Sequence, residues 1–218
     1  MMNEMLLVLL EMERNGIYIE MEKLDEVEDK FTIERNELQT RLYELASSVM
    51  GDSPVNLNSP FQLSEVIYSR KINDRDKWRE VFNIGVNKAG KPLPRPRMNA
   101  TEFSRAVKGN TSIVYRTKGE RCITCNGLGS IQKIKKDGKP YKNRTKCTIC
   151  DGAGVGYRPT DRVAGFKLVP STVRDVAATG FSTDKTTLQF LLGQAQRKGY
   201  TDAVEFLQGM RRLNALNV

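Results

Sequence analysis

Hydrophobic residues along the chain fall first into a helical rhythm. From Glu22 to Val49, the residues Leu24, Val27, Phe31, Leu38, Leu42, Leu45 and Val49 recur at intervals of three and four, with a break only near Glu34 and Arg35. Such a stripe predicts one long helix that buries a single face against a partner helix, the intervening carboxylates forming its solvated face. Ahead of it, Met5, Leu6, Leu9, Leu10 and Met12 predict a short helix over residues 3–14, ended by Asn15-Gly16 and followed by a brief extended piece, Ile17-Tyr18-Ile19. Glu11 and Glu13 fall on different faces of that short helix and so do not make a paired-carboxylate site.

After Gly51-Asp52-Ser53-Pro54, Ser59 stands as a helix N-cap with Pro60 at the first helical position, and this helix is expected to run to near Lys71. Free backbone N–H groups at its start can receive an anion, or they mark an ordinary capped helix. Asp74 to Phe82 predicts an amphipathic helix burying Trp78, Val81 and Phe82. Gly85 to Arg97 alternates Lys88, Lys91, Arg95 and Arg97 with prolines, the pattern of an extended arm or tether. Thr101 to Val107 reads as a short helix and Thr111 to Tyr115 as a strand. Ser130 to Lys146 reads as a β-hairpin turning at Asp137-Gly138.

Charge divides the chain unevenly. The net charge is +9, yet residues 1–52 carry 13 acidic and 5 basic side chains, leaving 30 basic and 13 acidic for the remainder. A positive field over that remainder favours polyanions such as nucleic-acid phosphates, or it serves as a solubilising surface. The densest run lies in the expected hairpin, where Lys133, Lys135, Lys136, Lys139, Lys142, Arg144 and Lys146 face one acid, with Tyr141 among them. Phosphate contact and lysine protection of a strand edge both fit. No apolar run reaches membrane-spanning length, and the N-terminal stretch lacks a basic n-region and a cleavage site, so a soluble, cytoplasmic protein is expected.

Every cysteine lies in a repeated eight-residue pattern, Cys122-Ile-Thr-Cys125-Asn-Gly127-Leu-Gly129 and Cys147-Thr-Ile-Cys150-Asp-Gly152-Ala-Gly154. Two CxxC knuckles supply the four thiolates of a closed tetrahedral site, so one structural Zn²⁺ held by Cys122, Cys125, Cys147 and Cys150 is expected. The chain has no histidine to complete any other zinc set. Two disulfides or a redox pair are the alternatives, and neither accounts for the repeated glycines. Four thiolates leave no open position for catalytic water. The repeat resembles the cysteine-rich zinc domain of the J-domain co-chaperones over about 33 residues. That family usually has four repeats and two zincs, whereas this chain has two repeats. The J-domain and its HPD motif are absent, so client binding does not follow.

A second resemblance covers about 120 of the 218 residues. The order Met12-Glu13-Arg14-Asn15-Gly16-Ile17-Tyr18-Ile19, a long helix, then Asn56-Leu57-Asn58-Ser59-Pro60-Phe61-Gln62-Leu63 is similar to the family A DNA polymerases of the DNA polymerase I type and their phage relatives. Toward the end, Ser182-Thr183-Asp184-Lys185-Thr186-Thr187-Leu188 and Glu205-Phe206-Leu207-Gln208-Gly209-Met210-Arg211-Arg212-Leu213 resemble two further helices of the same region. In that family these stretches form the thumb, which grips primer-template duplex. The resemblance implies DNA contact by Asn56, Ser59, Gln62, Ser182, Thr183, Arg211 and Arg212. Where the family commonly has a lysine one turn after the arginine, this chain has Ala215. Neither the paired aspartates of the palm, nor the RxxxK fingers helix, nor the exonuclease DxE is present, so no catalytic residue is assigned.

The fold expected from these readings is mainly α: a long antiparallel helical thumb hairpin with a small inserted β-hairpin and zinc-knuckle module. Its divisions are residues 1–72 and 163–218 for the thumb-like helices and 73–162 for the insertion, with the zinc module at 119–158. The expected function is the DNA-binding thumb fragment of a family A polymerase during DNA replication, with palm and fingers in the same or a separate chain and a processivity factor as a further partner. A zinc-dependent protein-interaction module for replisome recruitment is the alternative. A chaperone-like protein that binds unfolded chains is supported by the glycine-cysteine repeat alone.

Overall fold

The structure is a computed structural model and describes residues 10, 11, 13, 14, 16, 20–136, 138–170 and 172–216. Of the expected helix over 3–14, Leu10, Glu11, Glu13 and Arg14 are described and are helical, while the extended piece Ile17–Ile19 lies outside the described residues. The long helix, α1, spans Met21–Met50, one residue beyond the predicted span at each end. It stops at Gly51, which turns the chain with φ of 93° and donates its N–H to the Ser47 carbonyl.

Helix α1 finds its partner near the other end of the chain. Helices α2 (Pro60–Tyr68), α3 (Arg75–Val81), α4 (Ala100–Asn110) and α5 (Lys185–Lys198) lead to α6 (Thr201–Leu216), which packs along α1. Arg41 holds Glu205 at 2.6 Å and Arg212 holds Glu34 at 2.6 Å, so residue numbers rise on one helix as they fall on the other and the two run antiparallel. Gly209 permits the close crossing, since a Cβ there would lie 3.0 Å from Leu42 Cδ2. The contact covers α1 from Glu34 onward. Leu42, Leu45 and Ala46 are buried, whereas Leu24, Val27 and Phe31 of the same stripe are exposed.

The fold is mixed α/β rather than mainly α. Among the described residues, four two-stranded antiparallel sheets accompany the helices: β1 (Arg70–Ile72) with β2 (Thr111–Ile113), β3 (Tyr115–Arg121) with β6 (Val155–Val163), β4 (Ser130–Ile131) with β5 (Thr145–Lys146), and β7 (Val176–Ala177) with β8 (Gly180–Phe181). Most of these strands are two or three residues long, too short to leave an alternation in the sequence. Helix α2 ends earlier than expected, because Ser69 adopts a left-handed conformation and β1 follows at once.

Residues 73–162 divide between two kinds of packing. Trp78, Phe82, Phe103 and Val107 belong to the same core as Leu42, Ile67, Phe181 and Phe206. Trp78 is fully buried, stacks edge-on against Phe82 and Phe181, and donates its indole N–H to the Ala177 carbonyl at 2.9 Å. The basic segment 85–97 folds back on itself, with Val86 bridging Pro92, and Arg95 donates to the carbonyls of Phe82 and Val176. From β3 onward the chain leaves this core as the β3–β6 ribbon. The ribbon's base is tied to the end of α1: Asp52 N–H donates to the Thr117 carbonyl at 3.0 Å, and the Asp52 carboxylate accepts from Gly119 N–H at 2.8 Å. The returning strand is stitched down by Gly165 N–H to the Val49 carbonyl and Phe166 N–H to the Val66 carbonyl.

Candidate metal centre and basic loop

Beyond the ribbon, the two cysteine repeats form one unit with near-twofold internal symmetry, equivalent residues being 25 apart in sequence. Cys122 N–H donates to the Gly154 carbonyl and Cys147 N–H to the Gly129 carbonyl, both at 2.9 Å. Within each repeat the first glycine donates to its first cysteine, Gly127 to Cys122 and Gly152 to Cys147, both at 3.1 Å. The paired glycines are required by close approach. A Cβ on Gly129 would lie 2.3 Å from the Gly152 carbonyl oxygen, and one on Gly154 would lie 2.5 Å from that of Gly127. All four also take positive φ, between 69° and 82°.

This backbone arrangement converges the four thiols. They are buried, and all four Sγ atoms lie within 4.8 Å of one another. Cys122 Sγ is 3.9 Å from Cys147 Sγ, and Cys125 Sγ is 3.6 Å from Cys150 Sγ. Four sulfurs on a tetrahedron with metal–sulfur bonds of about 2.3 Å stand about 3.8 Å apart. A disulfide closes at about 2.05 Å, so the cross-repeat pairs are not bonded. The four cysteines can hold a metal ion, as their spacing implies.

Electrostatics prepare the thiols unequally. The Cys125 backbone N–H, with that of Thr124, holds the Cys122 thiol down to about 7. Burial pushes the Cys150 thiol up to about 11, against the Gly154 N–H that donates to it at 3.3 Å. A cation bound between them would favour the thiolate at every position. Among the described residues, Ile131 alone packs on the cysteine cluster as a hydrophobic neighbour.

The segment between the repeats runs as an antiparallel ladder. Ser130 and Ile131 pair with Lys146 and Thr145, Ile134 bridges Pro140, and Tyr141 N–H donates to the Lys133 carbonyl. The turn residue Asp137 lies outside the described residues. Lys133, Lys135, Lys136, Lys139, Lys142 and Arg144 are all exposed. Lys135 lies 5.6 Å from the centre of the Tyr141 ring, and Lys146 pairs with Asp151 at 2.6 Å.

The remaining residues singled out for DNA contact are placed separately from this loop in sequence and differ in their availability. Asn56 and Gln62 bond to each other, the Gln62 side-chain oxygen accepting from Asn56 N–H at 2.6 Å. Ser59 occupies the N-cap position of α2, but its hydroxyl makes no capping bond. Ser182 is buried and donates to Asp184 at 2.7 Å, while Thr187 donates to the Ser182 hydroxyl at 3.2 Å. The N-cap of α5 is Asp184, which accepts from Thr187 N–H at 2.7 Å. That bond and the one from Ser182 hold its carboxyl below the usual range. Thr183 beside it is half-buried.

The two arginines of α6 part company. Arg212 forms a two-pronged pair with Glu34, with bonds of 2.6 and 2.9 Å, and holds that carboxyl below its ordinary value. Arg211 points elsewhere and lines a hollow with Lys185, Leu188, Asn214 and Ala215. Its buried Nε has no hydrogen-bond partner among the described residues. Lys185 was not singled out from the sequence, where it sits amid other polar residues; only the packing of α5 on α6 brings it beside Arg211.

No helix of the described residues is long and apolar enough to cross a membrane. In comparisons with known proteins, no protein family, no curated protein and no solved structure matches the chain.

Proposed function

We propose that this chain is the thumb of a family A DNA polymerase, carrying a one-zinc module that extends its grip on primer-template duplex. The observation that carries the reading is the reunion of the two polymerase-like pieces: the long helix α1 and the later helix α6 lie antiparallel in one core although the whole cysteine segment separates them in sequence. The order of the motifs quoted above supports it as well. In this reading the antiparallel α1 and α6 are the thumb hairpin, and palm and fingers belong to another part of the enzyme. The chain itself contributes duplex binding and no catalytic group.

Arg211 and Lys185 line one hollow and together offer a phosphate two cations. Arg212 instead fastens the helices through Glu34. Zinc at Cys122, Cys125, Cys147 and Cys150 holds the module that presents the basic loop, and the loop's cations contact phosphates without reading sequence. Four such contacts would make the log–log salt slope about −3.6, at roughly −0.9 per phosphate.

The test is the affinity of the zinc-loaded chain for a short primer-template duplex across a salt titration. A version in which residues 122–154 are replaced by an Asn-Gly turn is run beside it, since Arg121 and Val155 are cross-strand neighbours. Weaker binding and a shallower slope in the shortened version are expected. Absence of duplex binding by the intact chain would overturn the reading.

One observation favours the alternative, a protein-interaction module serving replisome or processivity-factor recruitment. Ile123, Leu128 and Ile149 on the cysteine repeats are 79%, 60% and 70% exposed. Large apolar side chains beside a rigid knuckle suit a protein partner. Equal duplex affinity and salt slope for the two versions would shift the module to this role and leave DNA to the helices.

A further inference from the structure

A cavity of about 460 Å³ lies between α4, the β1–β2 pair and the return segment 163–170, away from both the cysteines and the α5–α6 hollow. Its apolar wall includes Val107, Ile113, Leu168 and Val169, and its size falls in the range of ordinary ligand sites. Arg70, Lys108 and Lys167 also line it, and an adjoining hollow shares Lys108 and adds Arg105. No carboxylate lines either space among the described residues. An apolar wall ringed by cations of one sign calls for an occupant with a large apolar group and negative charge.

The backbone singles out the same place. Five described residues other than glycine take positive φ, and three of them are Asn83, Asn126 and Asp151, the types that tolerate it. The other two are Ser69 at 60° and Lys167 at 56°. Both line this cavity, and the Ser69 hydroxyl accepts from Lys167 N–H at 3.0 Å. Backbone held in this sparsely populated region is costly and gathers at binding sites. Here it turns Lys167 outward at the rim while Leu168 is buried next to it.

The geometry points to a docking site for an acidic peptide segment of another protein, one large apolar side chain entering the cavity and flanking carboxylates meeting Arg70, Arg105, Lys108 and Lys167. This inference is independent of the polymerase reading. Single-stranded nucleic acid is the poorer occupant because it needs an open aromatic face for base stacking. The aromatic residues here, Tyr68 and Phe103, are 2% and 5% exposed and belong to the core.

The test uses the full zinc-loaded chain and a fluorescein-labelled hexapeptide with two aspartates on each side of a central Leu-Phe, read by fluorescence anisotropy. Saturable binding is expected, lost when the aspartates become lysines and when Leu-Phe becomes Ser-Ser. Arg105→Glu with Lys108→Glu, both exposed on α4, should weaken it about tenfold through reversed charge pairs, with the helical melting curve unchanged. The proposal is overturned by an unchanged affinity in this double variant, by equal binding of the Ser-Ser peptide, or by displacement of the peptide by oligo-dT at lower concentration than by unlabelled peptide. A concentration-dependent dimer abolished by the same double variant would assign the trough to a second copy and likewise overturn it.

Discussion

The helical body and the cysteine module are stabilised by different physics. In the body, Trp78, Phe82, Ile67, Leu188 and Phe206 are all fully buried, and helices from both ends of the chain share that core. In the module, the four cysteines and Ile131 make up the cluster among the described residues, and Ile123, Leu128 and Ile149 are exposed. The body therefore distributes its stability over many contacts, each worth a few kcal/mol at most. The module concentrates it in four sulfur atoms and the two glycine crossings that bring them together. A unit this small, without a core of its own, needs a cross-link or a metal to remain folded.

Four perturbations sharpen that contrast, in descending order of effect. Cys147→Ser, or removal of metal by a chelator, is expected to unfold the module while leaving the helices intact. Structural zinc contributes roughly 10–16 kcal/mol of apparent binding free energy in zinc-finger peptides at neutral pH. Loss of amide dispersion for residues 119–158, with far-ultraviolet helical ellipticity retained, is the signature. Retained dispersion after chelation would show that the module folds without metal.

The converse experiment is Trp78→Ala. It should cost the body about 3–5 kcal/mol through the cavity left by a fully buried indole. Metal stoichiometry should remain one per chain, read by a chromophoric chelator after thiol displacement. A loss of both in step would mean that the two regions fold as a single cooperative unit.

Gly154→Ala comes next. Its Cβ would stand 2.5 Å from the Gly127 carbonyl and force a residue with a side chain to keep φ of 75°. A penalty of about 1–3 kcal/mol is expected, seen as a lower concentration of competing chelator needed to strip the metal, with the helices unaffected. Gly156→Ala, where nothing lies within 4 Å of the new Cβ, serves as the neutral control.

The smallest effects belong to surface charge. Asp184→Ala removes the α5 cap and should cost about 1 kcal/mol. Glu34, Glu205 and Asp184 are held below their ordinary carboxylate values by Arg212, by Arg41 and by the Thr187 N–H respectively. Because the folded-state values are depressed, their contribution is complete above the ordinary values of 4.5 and 3.8 and is lost as pH falls through the lower folded ones. A urea midpoint for the helical signal that declines below about pH 4.5, and declines less in Arg41→Ala with Arg212→Ala, would bear this out. An identical decline in that double variant would assign acid sensitivity elsewhere.

These contrasts also bear on how much was legible in the chain. The span of α1 emerges to within one residue at each end, because a three-and-four stripe broken only near Glu34 and Arg35 and a terminal glycine are local signals. Trp78 and Phe82 are readable as buried for the same reason, but only packing places them in the main core, against Phe181. The cap of α5 illustrates the limit of local pattern. Ser182, Thr183 and Asp184 are all capping types, and only the hydrogen bonds select Asp184.

By itself the sequence determined the elements whose cause lies within a few residues: the long helix, the charge asymmetry, the basic loop, and a cysteine quartet of metal-binding spacing with glycines where the backbone must turn. Tertiary structure alone decided what depends on distant partners. It joined α1 to α6, committed Arg212 to Glu34 while leaving Arg211 beside Lys185, made strands of two or three residues that exist only through their neighbours, and left Leu24, Val27 and Phe31 exposed. The physical reason is range: helix periodicity and turn chemistry are written in adjacent residues, whereas which face is covered, and which charge is already paired, is settled by residues more than a hundred positions away.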